Sequence, residues 1–151
     1  MKRLFLLVLV LLSISSSVFA ECYLDETRWK WLFSTDEFGI YYDKNTARIK
    51  SPTVFEVWTC FYFPGGTSCD RTVCVDAGKD RAEHYHFTRE EYNSDRYTYL
   101  CKNYLINDSN GKVIFSYDVP PYMQNSTSVY PGTVGEDIMI KLKQDLYKYR
   151  R

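Results

Sequence analysis

The chain has 151 residues, with 19 basic against 19 acidic side chains, and aromatic residues make up 17% of it, 14 of them tyrosine. A balanced charge argues against nucleic acid as the partner, because phosphate binding draws on a clear excess of Lys and Arg. Beyond the N-terminal segment, no stretch is apolar for long enough to predict a membrane span.

The first twenty residues read as an export signal. Lys2 and Arg3 form a positive start, residues 4–12 an unbroken apolar run, and Val18-Phe19-Ala20 offers small residues at the positions a leader peptidase inspects. Cleavage is expected after Ala20. Glu21 stands where a lipoprotein signal needs a small residue before Cys22, so a soluble mature chain is expected. Residues 21–151 suit one domain of ordinary size.

Trp29-Lys30-Trp31 alternates as a strand with both indoles on one face, and residues 34–37 read as a turn. A second strand is predicted over residues 38–42, and Ala47-Arg48-Ile49 as a short edge piece. Residues 54–63 carry the strongest strand pattern. Phe55, Val57, Phe61 and Phe63 line one face, while Glu56, Trp58, Cys60 and Tyr62 line the other, and Pro64-Gly65-Gly66 is expected to stop it. Residues 67–93 read as an excursion loop with a further strand over 83–88. Residues 96–117 form a hairpin around Asn110-Gly111, a pair suited to the positive φ angles of a tight turn. In its first strand Tyr97, Tyr99, Cys101 and Asn103 are expected to share a face. Residues 124–128 are a polar crossing segment.

Thr133-Val134-Gly135-Glu136 is a capping box, in which hydroxyl and carboxylate satisfy backbone donors of the first helical turn. Val134, Ile138, Leu142 and Leu146 recur every four residues, with Tyr149 continuing the stripe. Lys141, Lys143, Lys148, Arg150 and Arg151 make the helix and its end basic, which suits the negative end of its dipole. The fold class is therefore α+β: one mainly antiparallel sheet of about six strands, with a C-terminal helix packed on one face.

All five cysteines follow the export signal: Cys22, Cys60, Cys69, Cys74 and Cys101. Export makes disulfides their default use, and the odd number leaves one thiol over. Cys69 and Cys74 are placed for a small local clip, and Cys101 is expected to bridge to Cys60 or Cys22. Zinc is disfavoured, since no Cys-x-x-Cys pair occurs. His84-Tyr85-His86 is the one constellation suited to a metal, because residues two apart on a strand share a face. Two imidazoles make a thin first shell, and solvent-facing histidines are the plainer account. No nucleophile elbow, P-loop or dinucleotide fingerprint appears, so neither catalytic residues nor a cofactor are expected. Asn107-Asp108-Ser109 and Asn125-Ser126-Thr127 match a glycosylation acceptor pattern and read as polar turns.

Trp29-Lys30-Trp31, Tyr41-Tyr42-Asp43, Val57-Trp58, Cys101-Lys102, Ser109-Asn110-Gly111-Lys112 and Pro131-Gly132-Thr133-Val134-Gly135-Glu136 occur in that order. Together they resemble the bacterial surface-adhesin protein E family across nearly the whole mature chain. The resemblance implies a single exported domain with its helix on the concave side of an antiparallel sheet. It further implies adhesion to host extracellular-matrix or serum proteins, with no catalytic residues. In the family a cysteine at the helix end ties it to the sheet; this chain has none after Cys101.

The expected function is thus that of an exported, non-enzymatic binding protein at the cell surface, in the periplasm or in the medium. Tyr85, Tyr97 and Tyr99 are the expected contact residues, together with the insert over 67–93. The alternative is a periplasmic protein with a small-ligand or metal role centred on His84 and His86.

Overall fold

The computed structural model describes residues 24–67, without the Thr67 side chain, and residues 83–148. Residues 1–20, where the export signal is expected, Cys22, the expected clip of Cys69 and Cys74, and Tyr149, Arg150 and Arg151 lie outside the described residues.

Among the described residues, eight strands and one α-helix follow in the order β1 (Trp29–Ser34), β2 (Gly39–Asp43), β3 (Arg48–Ile49), β4 (Val54–Thr67), β5 (Glu83–Asn93), β6 (Thr98–Asn107), β7 (Val113–Asp118), a 3-10 turn (Pro121–Met123), β8 (Thr127–Ser128) and α1 (Val134–Tyr147). Every pairing is antiparallel, and the sheet runs β1-β2-β4-β5-β6-β7. The short β3 pairs with the start of β4 and β8 with the start of β6, which brings the expected six strands to eight.

Three expectations change. β4 does not stop at Pro64 but continues to Thr67, and its pairing with β5 shifts register between Tyr62 and Thr67. An irregular ladder accommodates Pro and Gly that a regular central strand would reject. The strand expected over residues 83–88 runs on to Asn93 as β5, so the second half of the expected excursion loop is held between β4 and β6 at the centre of the sheet. The alternation expected in β6 breaks at Lys102. Glu90 faces Cys101 while Arg89 faces Asn103, so one extra residue of β6 is accommodated as a bulge. Beyond the bulge Tyr104, not Asn103, joins Tyr99 and Cys101 on their face.

The faces of β4 carry two cores. On one side Phe55 and Val57 pack with Ile40, Tyr42, Tyr92 and the helix residues Ile138, Met139 and Leu142. On the other, Cys60 packs with Leu24, Tyr85 and Phe87. Cys60 and Cys101 therefore point to opposite faces of strands separated by β5, so a bridge between them is not formed. A disulfide needs Cβ atoms about 4 Å apart on facing vectors.

Thr133 caps α1 by accepting from Glu136 N, and the Glu136 carboxylate accepts from Gly132 N, one residue earlier than a standard capping box. At the other end of the helix, polar ties hold it to the sheet. The Tyr147 hydroxyl donates to Ser51 O at 2.5 Å, the Tyr42 hydroxyl to Asp145 at 3.1 Å, and Lys30 Nζ lies 2.6 Å from Asp145. These contacts stand where the family resemblance would place a covalent tie.

Candidate binding site

The helix stripe covers the Phe55 end of β4 and leaves the Phe63 end of the same face open. The open part is a trough of about 400 Å³. β4 supplies Phe61 and Phe63, β5 supplies His86, Thr88 and Glu90, and β6 supplies Tyr99, Cys101 and Tyr104. Period-two alternation aims these side chains to one side on each strand, and the bulge at Lys102 brings Tyr104 into the set.

Rings cross the sheet as a ladder. Phe38 packs on Phe61 and Phe63 at 5.6 and 5.7 Å, Phe61 on His86 at 6.4 Å, and His86 edge-on to Tyr104 at 6.2 Å. Tyr104 continues to Phe115 at 5.4 Å and Tyr117 at 5.5 Å on β7. Such spacings are those at which aromatic pairs gain energy beyond their area.

Beneath the ladder lies a polar floor. The Thr59 and Thr88 hydroxyls share a buried hydrogen bond of 2.7 Å. The Tyr92 hydroxyl donates to Glu90. Burial pushes the Glu90 carboxyl above the ordinary carboxylate range, although bonds from Tyr92 and Thr88 and the nearby His86 oppose it. Burial and the neighbouring Glu90 raise the Cys101 thiol to about 11, so it is a protonated, unreactive group at neutral pH.

A raised folded-state pKa on an acid means that the folded chain binds more protons than the unfolded one. Stability should therefore fall as pH rises from about 4.5 through the folded-state value. Glu90→Gln keeps an acceptor for Tyr92 and removes the buried charge. The variant is expected to be more stable at pH 7 by on the order of 1 kcal/mol. Its stability should also lose part of the decline above pH 4.5. Urea unfolding of both proteins at pH 4.5 and pH 7 measures this, and a variant that is less stable at pH 7 would show the acid to be ionised and held.

The expected contact tyrosines do not converge. Tyr85 is 2% exposed and belongs to the second core, on the opposite face of the sheet. Its odd position on β5 turns it away from His86 and Glu90. Tyr97 is exposed at the β5–β6 turn with a φ of 50°, in the left-handed region, beside Met139 and Lys143 of α1. Only Tyr99 lines the trough. His84 and His86 both stand on β5, two apart. His86 Nδ1 lies 3.2 Å from Glu83 Oε1, and its ring is held between Phe61 and Tyr104. Among the described residues, no three His, Cys, Asp or Glu side chains are grouped to hold a metal ion.

Phe61, Phe63 and Tyr104 were missed as site residues in the sequence. The visible signal was the one-sided run Phe55, Val57, Phe61, Phe63, which is longer than a 14-residue helix crossing it has to cover. No protein-family model matches this chain, and no curated protein or solved structure is similar enough to match it.

Proposed function

We propose that the chain is an exported, non-enzymatic binding protein, resembling surface adhesin protein E in kind, whose partner docks on the open half of the helix-side face. The observation that carries this reading is the ring ladder from Phe61 through His86 to Tyr104, left uncovered by α1. Aromatic side chains presented by a rigid sheet are typical anchors of protein interfaces, since they offer large area at low entropic cost. A host matrix or serum protein is the partner class that the family resemblance implies.

The volume of the trough favours a second reading, in which a periplasmic protein takes a small ligand there. Cell fractionation separates the two. Confinement of the protein to the periplasm removes adhesion and leaves the small ligand.

Binding of the purified mature chain to immobilised matrix and serum proteins tests the first reading. Tyr104→Ala and Phe63→Ala are each expected to weaken capture by roughly tenfold, as loss of an interface anchor does. Trp31→Ala, exposed on β1 and away from the trough, should bind as the parent does. Capture that ignores both trough variants would place the interface elsewhere.

A further inference from the structure

We infer that the opposite face of the sheet carries a second site, shaped for a neutral sugar ring. It is a cavity of about 320 Å³ walled by Trp29, Trp58, Phe87 and Leu105, with Arg28 and Asn107 as its polar groups. That volume lies at the small end of ligand pockets, which combine apolar walls with a few placed polar atoms.

Asn107 identifies it as a site. The residue is 4% exposed, and its Oδ1 has no hydrogen-bond partner among the described residues. Its Nδ2 donates to Gly111 O at 3.1 Å, and turning the amide over would sacrifice that bond, so the orphan atom is the acceptor. A buried acceptor left unpaired is costly and uncommon in native proteins, and a bound donor is one of the few ways to satisfy it. Burial also removes Asn107 from use as a glycosylation acceptor.

The charge of the cavity selects the ligand. Arg28 spends Nε and Nη2 on Asp43 Oδ2, at 2.8 and 2.7 Å, and lies 5.7 Å above the Trp29 ring. Asp43 is fully buried, and although burial opposes its ionisation, the guanidinium and neighbouring hydrogen bonds hold its carboxyl below the usual range. The ion pair is thus complete, and a charged ligand would find no counter-charge to spare. What remains is an acceptor at Asn107 Oδ1, a donor at Arg28 Nη1 and three aromatic walls. A hydroxyl both donates and accepts, and a pyranose joins several hydroxyls to an apolar C–H face that packs on aromatic rings. A neutral monosaccharide, free or at the end of a glycan, meets each requirement.

The site shares no residue with the trough on the helix side, so it stands or falls independently of the function proposed above. Its test uses the mature chain carrying Trp31→Phe. Of the three tryptophans only Trp29 and Trp58 then remain, and both line the cavity. Their emission is titrated with glucose, galactose and N-acetylglucosamine. A saturable change with at least one sugar is expected, accompanied by a rise in melting temperature. Asn107→Leu should weaken that response by roughly tenfold, the loss of one buried hydrogen bond. If Asn107→Leu does not fold, Val113→Phe decides, because it narrows the cavity from a half-exposed position on its wall. No saturable change with any of the three sugars overturns the site and leaves Asn107 Oδ1 to a water molecule. A response that the folded variant leaves unaltered overturns it as well.

Discussion

Glu56→Gln is expected to destabilise the folded chain by about 3 kcal/mol at pH 7, the scale of an opened buried ion network. Glu56 is 4% exposed and faces Glu91 directly across β4 and β5. Two carboxylates so placed repel, and three cations from different strands and loops resolve the conflict. Arg89 Nε and Nη2 lie 2.9 and 2.5 Å from Glu56 Oε1. Lys50 and Lys102 each bridge Glu56 Oε2 and Glu91 Oε2, at distances between 2.5 and 2.8 Å. Burial opposes the charge of Glu56, yet the bonds from Lys102, Lys50 and Arg89 prevail and hold its pKa at about 2. Glutamine would turn an N–H toward a cation on one side and leave two ammonium groups to Glu91 alone.

The sign of the pH effect follows from that depressed value. The unfolded chain binds more protons than the folded one between the ordinary value of 4.5 and about 2, so the network stabilises above 4.5 and is lost as pH falls through 2. Urea unfolding should therefore show the full difference between parent and variant at pH 7, shrinking toward zero near pH 2. A difference below about 0.5 kcal/mol at pH 7 would put Glu56 among ordinary surface substitutions.

Phe55→Ala should cost about 4 kcal/mol, since it empties a fully buried aromatic position. Phe55 stacks on Tyr92 at 5.3 Å and meets Tyr147 of the helix edge-on at 6.3 Å. Removing it takes support from the residue whose hydroxyl ties the helix end to Ser51. Phe63, on the same face of the same strand but at the open end, should cost only about 1 kcal/mol when truncated. The contrast between the two within one strand measures how much of the face the helix covers. Equal costs would mean that something other than the helix buries the Phe63 end. Denaturant midpoints of the two variants supply the comparison.

Much of this architecture was readable because its physics is local. The alternation of β4 assigned each side chain to a face, Asn110-Gly111 marked a turn in which Gly111 takes a φ of 74°, and Thr133 announced the helix it caps. β5 was obscured by its own chemistry. Arg89, Glu90 and Glu91 in succession resemble a solvated loop, whereas in the sheet Arg89 and Glu91 serve the ion network on one face and Glu90 the trough on the other. A charged residue buried by long-range pairing carries no mark of its partner in the local sequence. The trough escaped for the same reason, as three strands supply its walls. The placement of Tyr85 failed on parity: assignment to a strand was right, but which face that strand turns inward depends on its neighbours.

The bulge at Lys102 is a hinge of parity. Before it, odd-numbered residues of β6 face the helix side, and after it the even-numbered ones do. Lys102 and Asn103 consequently both point to the far side, where the ammonium meets Glu56 and Glu91. Deleting Lys102 itself would remove a cation and close the bulge, leaving Cys101 and Asn103 in regular alternation, Tyr104 in the trough and Leu105 on the far side. Deleting a residue from a regular part of the strand would instead exchange the two faces for one half of it. Both cavities share that strand, so away from the bulge the two sides of the sheet can vary by substitution but are bound together against insertion and deletion.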